Sequence, residues 1–380
     1  MMRGGGNTLR GAVSLKGVRI ARVIAKLEPG GAQLGALRLS VELERHFGVS
    51  HTILAGQASS AGIRLFERAG LRVETFGGLE MQYAVDPCFA NWIAPRVEAT
   101  DLVHAHMFGA WWAAARTLAP SIPLIASEHN ALRWPGQPRE HEMSAALARV
   151  DRFCAHGPAS RALAERLGLP PDRLVEGISA IPDQLEFAAP PAGLRSPRIV
   201  YAGRLHEEKG PDLLLAALEL LAAPPATYLL GAGPLEDPLR DRVSRNGLAG
   251  RVHFCGWRER VGRWLAGASV CVVPSRQESW SQTAVHAMAL GVPVVGTAVE
   301  GLPQTLADGR GLIVAPEDPE ALAAAIADLL TGRRVTDLDA ARDYAARFGA
   351  PRIAARYAAL YAQLLDRRVS SATEALPRAA

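Results

Sequence analysis

The chain has 380 residues, too many for one ordinary domain and enough for two or three at a typical ~150 residues each. With 49% hydrophobic and 21% charged residues, it is too apolar for a disordered chain, and no stretch nears the ~20 apolar residues that a membrane-spanning helix needs. The formal net charge of +4, with basic and acidic residues interleaved, argues against a nucleic-acid partner and fits weak attraction to anionic substrates or surfaces.

Residues 1–16 (MMRGGGNTLRGAVSLK) are polar and Gly-rich without the apolar run of a signal peptide, so a disordered leader is expected there. Strand-like runs then follow at Val18–Ile24, His51–Ala55, Leu71–Phe76, Asp101–His106, Pro123–His129, Arg152–Ala155 and Leu174–Ile178. Between them lie amphipathic helical segments such as Ala32–His46, Gly109–Leu118 and Ala159–Leu167. Strands that are nearly all apolar and alternate with helices imply a parallel sheet covered on both faces. Ile181–Pro197 carries Pro182, Pro190, Pro191 and Pro197 with no periodic apolar run, and reads as a linker.

The alternation restarts after the linker. Strands are expected at Arg198–Ala202, Thr227–Leu230, Arg251–Cys255, Ser269–Val273, Pro293–Gly296 and Gly311–Val314, with helices at Pro211–Ala222, Leu235–Asn246, Ser281–Leu290 and Pro319–Leu330. Two more helices, Asp337–Arg347 and Pro351–Leu365, close the chain, and the tail 368–380 is expected to be disordered. The sequence therefore predicts an α/β protein with two doubly wound parallel-sheet domains, 17–185 and 186–350, and a helix at 351–367 crossing back to the first. Ligands in such sheets meet the carboxyl ends of the strands. Four scattered cysteines (Cys88, Cys154, Cys255, Cys271) without a C-x-x-C point to a reducing cytoplasm.

Two glycine clusters mislead. Gly4-Gly5-Gly6 precedes the first strand, and Gly231-x-Gly233 lacks a third glycine because Glu236 stands there, so a nicotinamide-cofactor fingerprint is not supported. Tyr201-Ala-Gly203-Arg204-Leu-His-Glu-Glu-Lys209-Gly210-Pro211 is more informative. It leaves a strand and enters a helix, placing an arginine fork and a lysine point charge on one loop, a combination suited to a diphosphate. A solvated loop with Arg204 and Lys209 paired to Glu207 and Glu208 is the plain alternative. Lys209 is also one of only three lysines (with Lys16 and Lys26) among 42 Lys and Arg residues.

The segment from Val272 to Val295 carries the strongest signal. Ser279 or Ser281 can cap the helix after it, whose first-turn N–H groups suit an anion. Glu278 stands just ahead, where a carboxylate can accept from sugar hydroxyls. His286, eight residues on, would lie ~12 Å further along a continuous helix, so the two could touch opposite ends of one extended ligand. An ordinary capped helix with His286 as a packed polar residue is the alternative.

Arg204, Lys209, the Glu278 helix and Gly231-x-Gly233-Pro234 resemble the nucleotide-sugar-binding domain of family 4 GT-B glycosyltransferases. Gly30-Gly31-Ala32-Gln33, Asp101–His106 and Ile125–Asn130 support the likeness less specifically. The resemblance implies two Rossmann-like domains facing a central cleft. It implies a retaining transferase that moves a sugar from a UDP- or GDP-sugar to a glycan, a lipid-linked sugar or a small-molecule hydroxyl, without metal or other cofactor. By the same resemblance Arg204 and Lys209 hold the diphosphate, Glu278 orients the donor sugar, and His129 lies near the reacting sugar. Gly30, Gly31 and Gly203 allow close approach, Trp257 or Arg258 meets the base, and the amides of Trp280, Ser281 and Gln282 meet the phosphates. The leaving β-phosphate itself would take the acceptor proton in a front-face transfer.

Three positions depart from the family pattern. His286 replaces the second glutamate of E-x7-E, Gln304 the glutamate of the following Gly-x-Pro-Glu, and Gln33 that of the N-terminal Gly-Gly-x-Glu. Altered ribose recognition at His286 is expected, since a histidine cannot chelate a diol as a carboxylate does. A nucleotide-sugar-binding protein without catalysis and a GT-B phosphorylase remain alternatives. His104 and His106 share a strand face, which would also suit a metal, but no third ligand is apparent, and a structural or acceptor role is expected. Trp111 or Trp112 reads as helix core, and Trp134 in the loop 130–138 as a sugar or lipid contact. The expected location is cytoplasmic, with peripheral contact at the inner membrane face left open; the oligomeric state is not legible.

Overall fold

A computed structural model of the chain describes residues 14–129, 139–182 and 189–374, with side chains as far as residue 366. It divides into two compact units, one formed by the chain up to Ala180 together with the segment from Ala350 onward, the other by Ile181–Gly349.

The first unit alternates β1 (Arg19–Leu27), α1 (Gly31–Phe47), β2 (Ser50–Ala58), α2 (Ser60–Glu67), β3 (Arg72–Thr75), α3 (Pro87–Val97), β4 (Leu102–His106), α4 (Phe108–Thr117), β5 (Leu124–Glu128), α5 (Glu140–Arg149), β6 (Arg152–Ala155), α6 (Pro158–Arg166) and β7 (Leu174–Glu176). All seven strands are parallel in the order β3-β2-β1-β4-β5-β6-β7. The sequence pattern does not announce α3. Pro95 inside it obscures the helical pattern, but Asp86 caps it by accepting from the Cys88 and Phe89 amides, and Pro87 occupies the first turn, where no N–H is required. The core holds Phe66, Phe89, Phe108, Trp111 and Phe153, all essentially fully buried, and Trp112 is buried beside them, so both tryptophans are core where one was expected.

The second unit runs β8 (Arg198–Ala202), α7 (Pro211–Glu219), β9 (Ala226–Leu230), α8 (Glu236–Arg245), β10 (Val252–Gly256), α9 (Gly262–Leu265), β11 (Val270–Val273), α10 (Gln282–Ala289), β12 (Val294–Thr297), α11 (Leu302–Leu306), β13 (Leu312–Val314), α12 (Pro319–Thr331) and α13 (Leu338–Ala345). Its six parallel strands lie in the order β10-β9-β8-β11-β12-β13. The first helix stops at Glu219 rather than Ala222, consistent with Pro224 and Pro225 biasing the residues ahead of them away from helical angles.

Three expected boundaries need correction. The units divide at Ala180/Ile181 rather than at 185/186, because the Ile181 N–H donates to Phe348 O (3.0 Å) and Ile181 bridges Gly349. The leader does not extend to residue 16: Leu15 is buried and accepts from the Val18 N–H, while Gly17 donates to Gly48 O; residues 1–13 lie outside the described residues. At the other end α14 (Ala350–Glu374) is longer than expected, so residues 368–374 are helical and not a disordered tail. α14 packs on α1 within the first unit and buries Tyr357 and Tyr361.

Candidate functional site

In both sheets the strand order reverses beside the first strand, between β1 and β4 in the first unit and between β8 and β11 in the second. Loops leaving two such strands diverge to opposite faces and open a crevice at their carboxyl ends, the usual ligand site of this architecture.

In the second unit those loops follow β8 and β11. Gly210, at φ 62°, initiates α7, and a Cβ there would lie 1.9 Å from Pro274 O, so only glycine lets the two loops touch. Lys209 then reaches across: its Nζ donates to Glu278 Oε2 at 3.0 Å and to Gln277 O at 3.3 Å. Glu278 Oε2 also accepts from Ser275 Oγ at 3.4 Å. The side chains of Lys209 and Glu278 keep 22% and 13% of their surface exposed, so a ligand can reach both. Arg204 bridges to Glu208, and its carbonyl accepts from Tyr201 OH at 2.7 Å.

Arg276 was not singled out from the sequence, yet it braces this loop pair. Its guanidinium donates twice to Asp212 (2.8 Å each) and to Glu317 (2.6 and 3.1 Å), and its amide donates to Glu208 O at 2.8 Å. The pairing with Asp212 raises Arg276 above its already high pKa and holds Asp212 below the usual carboxylate range despite burial. The sequence signal was a charge flanked by apolar strand and polar loop, which does not reveal its partners.

α10 begins at Gln282, with Ser281 as its cap: Ser281 Oγ accepts from the Ala284 amide at 3.2 Å. Thr283 Oγ1 donates to Ala202 O at 2.8 Å and pins the first turn to the end of β8. The positive end of this helix therefore lies at the strand-order reversal, beside the Lys209 loop. Trp280 is just ahead of the cap, and its ring packs against Phe348, centroids 5.2 Å apart. Since Glu278 is in the loop, the axial spacing inferred from a continuous helix to His286 does not apply; His286 is buried in the second turn of α10.

Gly203 and Gly231 are in close contact, a Cβ on Gly231 falling 1.9 Å from Gly203 O. The Gly231-x-Gly233 turn is thus a backbone packing device. Trp257 and Arg258 follow β10, two strand positions from β8; Trp257 is 38% exposed, and the Arg258 guanidinium lies over Trp264 at 5.6 Å.

Gly30, Gly31 and His129 belong to the first unit. Gly30 caps α1 in extended conformation, Gly31 begins it, and Gln33 Nε2 donates to Lys26 O at 2.7 Å. A shallow depression here is lined by Ile24, Ala32, Gln33, Ala36, His106 and Met107. Met107 ends the β4 turn at φ 69°, a strained angle for a side-chain-bearing residue.

His106 ends β4, and His129 and His156 directly follow β5 and β6, so the three form a ladder: His106 Nδ1 and His129 Nε2 are 3.2 Å apart, and the His129 and His156 rings 3.8 Å between centroids. Behind them Arg22 of β1 is wholly buried among His51, His104 and His106. Burial, reinforced by neighbouring charge, holds His104 and His106 well below the usual histidine pKa, and burial brings His51 and His129 down to about 4. Arg22, His51 and His156 escaped the sequence reading, although an arginine midway along an apolar strand was a usable signal. Trp134 lies outside the described residues, and among the described residues no cluster of three or more His, Cys, Asp or Glu could hold a metal.

The family described as Glycosyltransferase Family 4 matches residues 29–175, and that described as Glycosyl transferases group 1 matches residues 196–332. The chain belongs to the family 4 glycosyltransferases. Among relatives, the D-inositol 3-phosphate glycosyltransferase of Xylanimonas cellulosilytica is 36% identical over 224 residues, 55% of this chain and 47% of that protein. The enzyme of the same name from Mycolicibacterium gilvum is 29% identical over 364 residues, covering 84% and 82%. The chain thus matches about half the length of the first of these relatives. The Anabaena protein Alr3699/HepE, solved in complex with UDP-glucose, superposes with a TM-score of 0.73 at 20% identity, over 93% of this chain and 99% of that one. Two parallel-sheet α/β units with this likeness are the GT-B fold. No helix among the described residues is long and apolar enough to cross a membrane.

Proposed function

We propose that this family 4 glycosyltransferase transfers a sugar, with retention at the anomeric carbon, from a nucleoside-diphosphate sugar to a hydroxyl acceptor. The observation that carries the reading is the Lys209–Glu278 pair beside the capped N-terminus of α10 at the strand-order reversal of the second unit. Lys209, Arg204 and the helix end supply positive charge for a diphosphate, and Glu278 supplies acceptors for sugar hydroxyls. Stabilising the departing diphosphate is where such a site lowers the barrier most. The leaving phosphate takes the acceptor proton, so the chain need not provide a general base, and no metal or cofactor is invoked.

UDP-glucose in the Anabaena structure supports a UDP-sugar donor. The names of the relatives make D-inositol 3-phosphate the first acceptor to test. His129, at the end of β5, is assigned to the reacting sugar, and the first unit to the acceptor. The protein acts in the cytoplasm or at the inner membrane face.

Incubation of purified protein with UDP-, GDP- and ADP-sugars tests the reading. Donor-dependent release of nucleotide, lost in Lys209→Met, is expected. Tight nucleotide-sugar binding with no turnover on any acceptor would instead make it a binding protein, the reading favoured by the replacement of three family glutamates with Gln33, His286 and Gln304. Formation of sugar 1-phosphate from free phosphate would make it a phosphorylase.

A further inference from the structure

The polar interior of the first unit has an internal logic that sets a proton's position. Arg22 is 0% exposed and always protonated, with five N–H donors and no acceptor. Its Nη1 lies 2.8 Å from His106 Nε2 and 3.2 Å from His104 Nδ1, and its Nη2 3.4 Å from His51 Nε2. Every ring nitrogen that faces Arg22 must therefore be an acceptor, and each neutral imidazole must carry its proton on the other nitrogen.

For His106 that nitrogen is Nδ1, which faces His129 Nε2 at 3.2 Å. The donor in that bond is His106, because a hydrogen bond in the other direction would leave His106 with no proton at all. His129 Nε2 is then an acceptor, and its proton sits on Nδ1. The same reasoning places the His104 proton on Nε2, facing Ser127 Oγ at 2.8 Å, while Tyr361 OH lies 2.7 Å from His104 Nδ1 and can donate to it. It places the His51 proton on Nδ1, facing Glu44 Oε1 at 3.2 Å. His104 and His106, two residues apart on one strand, hold opposite tautomers.

We infer that Arg22 is a positioning residue for the transfer reaction: acting through His106, it locks His129 in the Nδ1–H form, so that His129 meets its ligand as a hydrogen-bond donor at Nδ1. The inference rests on His129 serving the reacting sugar. A neutral donor suits an oxygen of the sugar or of the acceptor, which an imidazole in the opposite tautomer could only meet as an acceptor. The groups around the histidines are Arg22 from β1, His51 from β2 with Glu44 of α1 behind it, Ser127 and Glu128 from β5, Cys154 from β6 with His156 just after it, and Tyr357 and Tyr361 from α14; the buried Glu128 carboxylate accepts from the His129 amide and from Trp111 Nε1. Burial keeps His106 and His156 well below the usual histidine range. The tautomer is thus decided by a residue two hydrogen bonds away, as outer partners decide the orientation of ligating histidines elsewhere.

Long-range 1H–15N correlation spectra of the full chain labelled with 15N-histidine test this at pH 7, with assignments from His106→Gln and His129→Gln. The expected spectrum shows His51, His106 and His129 as single Nδ1–H tautomers and His104 as Nε2–H. A His129 found as Nε2–H, or doubly protonated, overturns the inference. In Arg22→Met, His106 and His129 should each lose the single tautomer, and kcat for transfer should fall about 10–100-fold with donor KM unchanged; retention of both tautomers in that variant also overturns it. If Arg22→Met does not fold, the wild-type spectrum still decides. An Nδ1–H His129 combined with full transfer by His129→Ala would uphold the tautomer and remove only its place in the reaction.

Discussion

Glu278→Gln and Lys209→Met should move nucleotide binding in opposite directions. The two side chains are 3.0 Å apart and partly shielded. At an effective dielectric of ~20 their attraction is about 5 kcal/mol before desolvation, and the net worth of a pair of this exposure is nearer 1 kcal/mol. An incoming diphosphate competes with Glu278 for the same ammonium. Replacing Glu278 by its neutral isostere removes that competition, so UDP, which lacks the sugar, should bind about 3–10-fold more tightly. Lys209→Met deletes a charge-assisted bond worth about 1.5–3 kcal/mol and should weaken UDP about 10–100-fold. Transfer should fall in both variants, in Glu278→Gln because the sugar loses its acceptors. Isothermal titration calorimetry with UDP and an initial-rate assay with UDP-sugar give the two readouts. If Glu278→Gln weakened UDP as much as Lys209→Met, the carboxylate would be part of the phosphate site's structure and the division of roles would be wrong.

Gly231→Ala should destabilise the second unit by about 2–4 kcal/mol, because the new Cβ would fall 1.9 Å from Gly203 O at φ 152°; a melting temperature equal to wild type would refute the packing role. Acid should weaken the first unit. His51 titrates near 4 when folded because of burial and near 6.5 when unfolded, so the unfolded chain binds more protons between these values. The stability it contributes is complete above about pH 6.5 and drains away as pH falls toward 4, costing about 2 kcal/mol by pH 5. The gap between urea midpoints at pH 7 and 5 should narrow in His51→Gln without closing, because the buried His104, His106, His129 and His156 are lowered in the same direction; an unaltered pH dependence would exclude His51 as a source. His286→Ala should weaken UDP binding about 3–10-fold, as loss of one hydrogen bond would, while His286→Glu should match or improve on wild type. UDP affinity indifferent to both changes would leave His286 a packing residue of α10.

The alternation of apolar strand runs with amphipathic helices, and the Pro-rich break near residue 190, were local properties, so the two-unit parallel α/β architecture could be read directly. The loop bearing Arg204 and Lys209 and the Ser281 cap were legible for the same reason, since strand ends, helix starts and caps are written in neighbouring residues. What neighbours cannot encode is which strands adjoin. Only the order β9-β8-β11 brings Lys209 to Glu278, 69 residues away. The brace from Arg276 to Asp212 and Glu317 is likewise a long-range pairing. The first-unit interior shows the difference most clearly. The sequence displayed His104 and His106 on one strand face, which suited a metal site, a structural role or an acceptor contact equally well. Arg22, arriving from β1 with donors only, decides which nitrogens accept, and Tyr361, arriving from a helix 257 residues along the chain, can donate to the His104 nitrogen that Arg22 faces. A proton's place on a ring depends on what lies within hydrogen-bond reach of both nitrogens, and that is settled by tertiary structure alone.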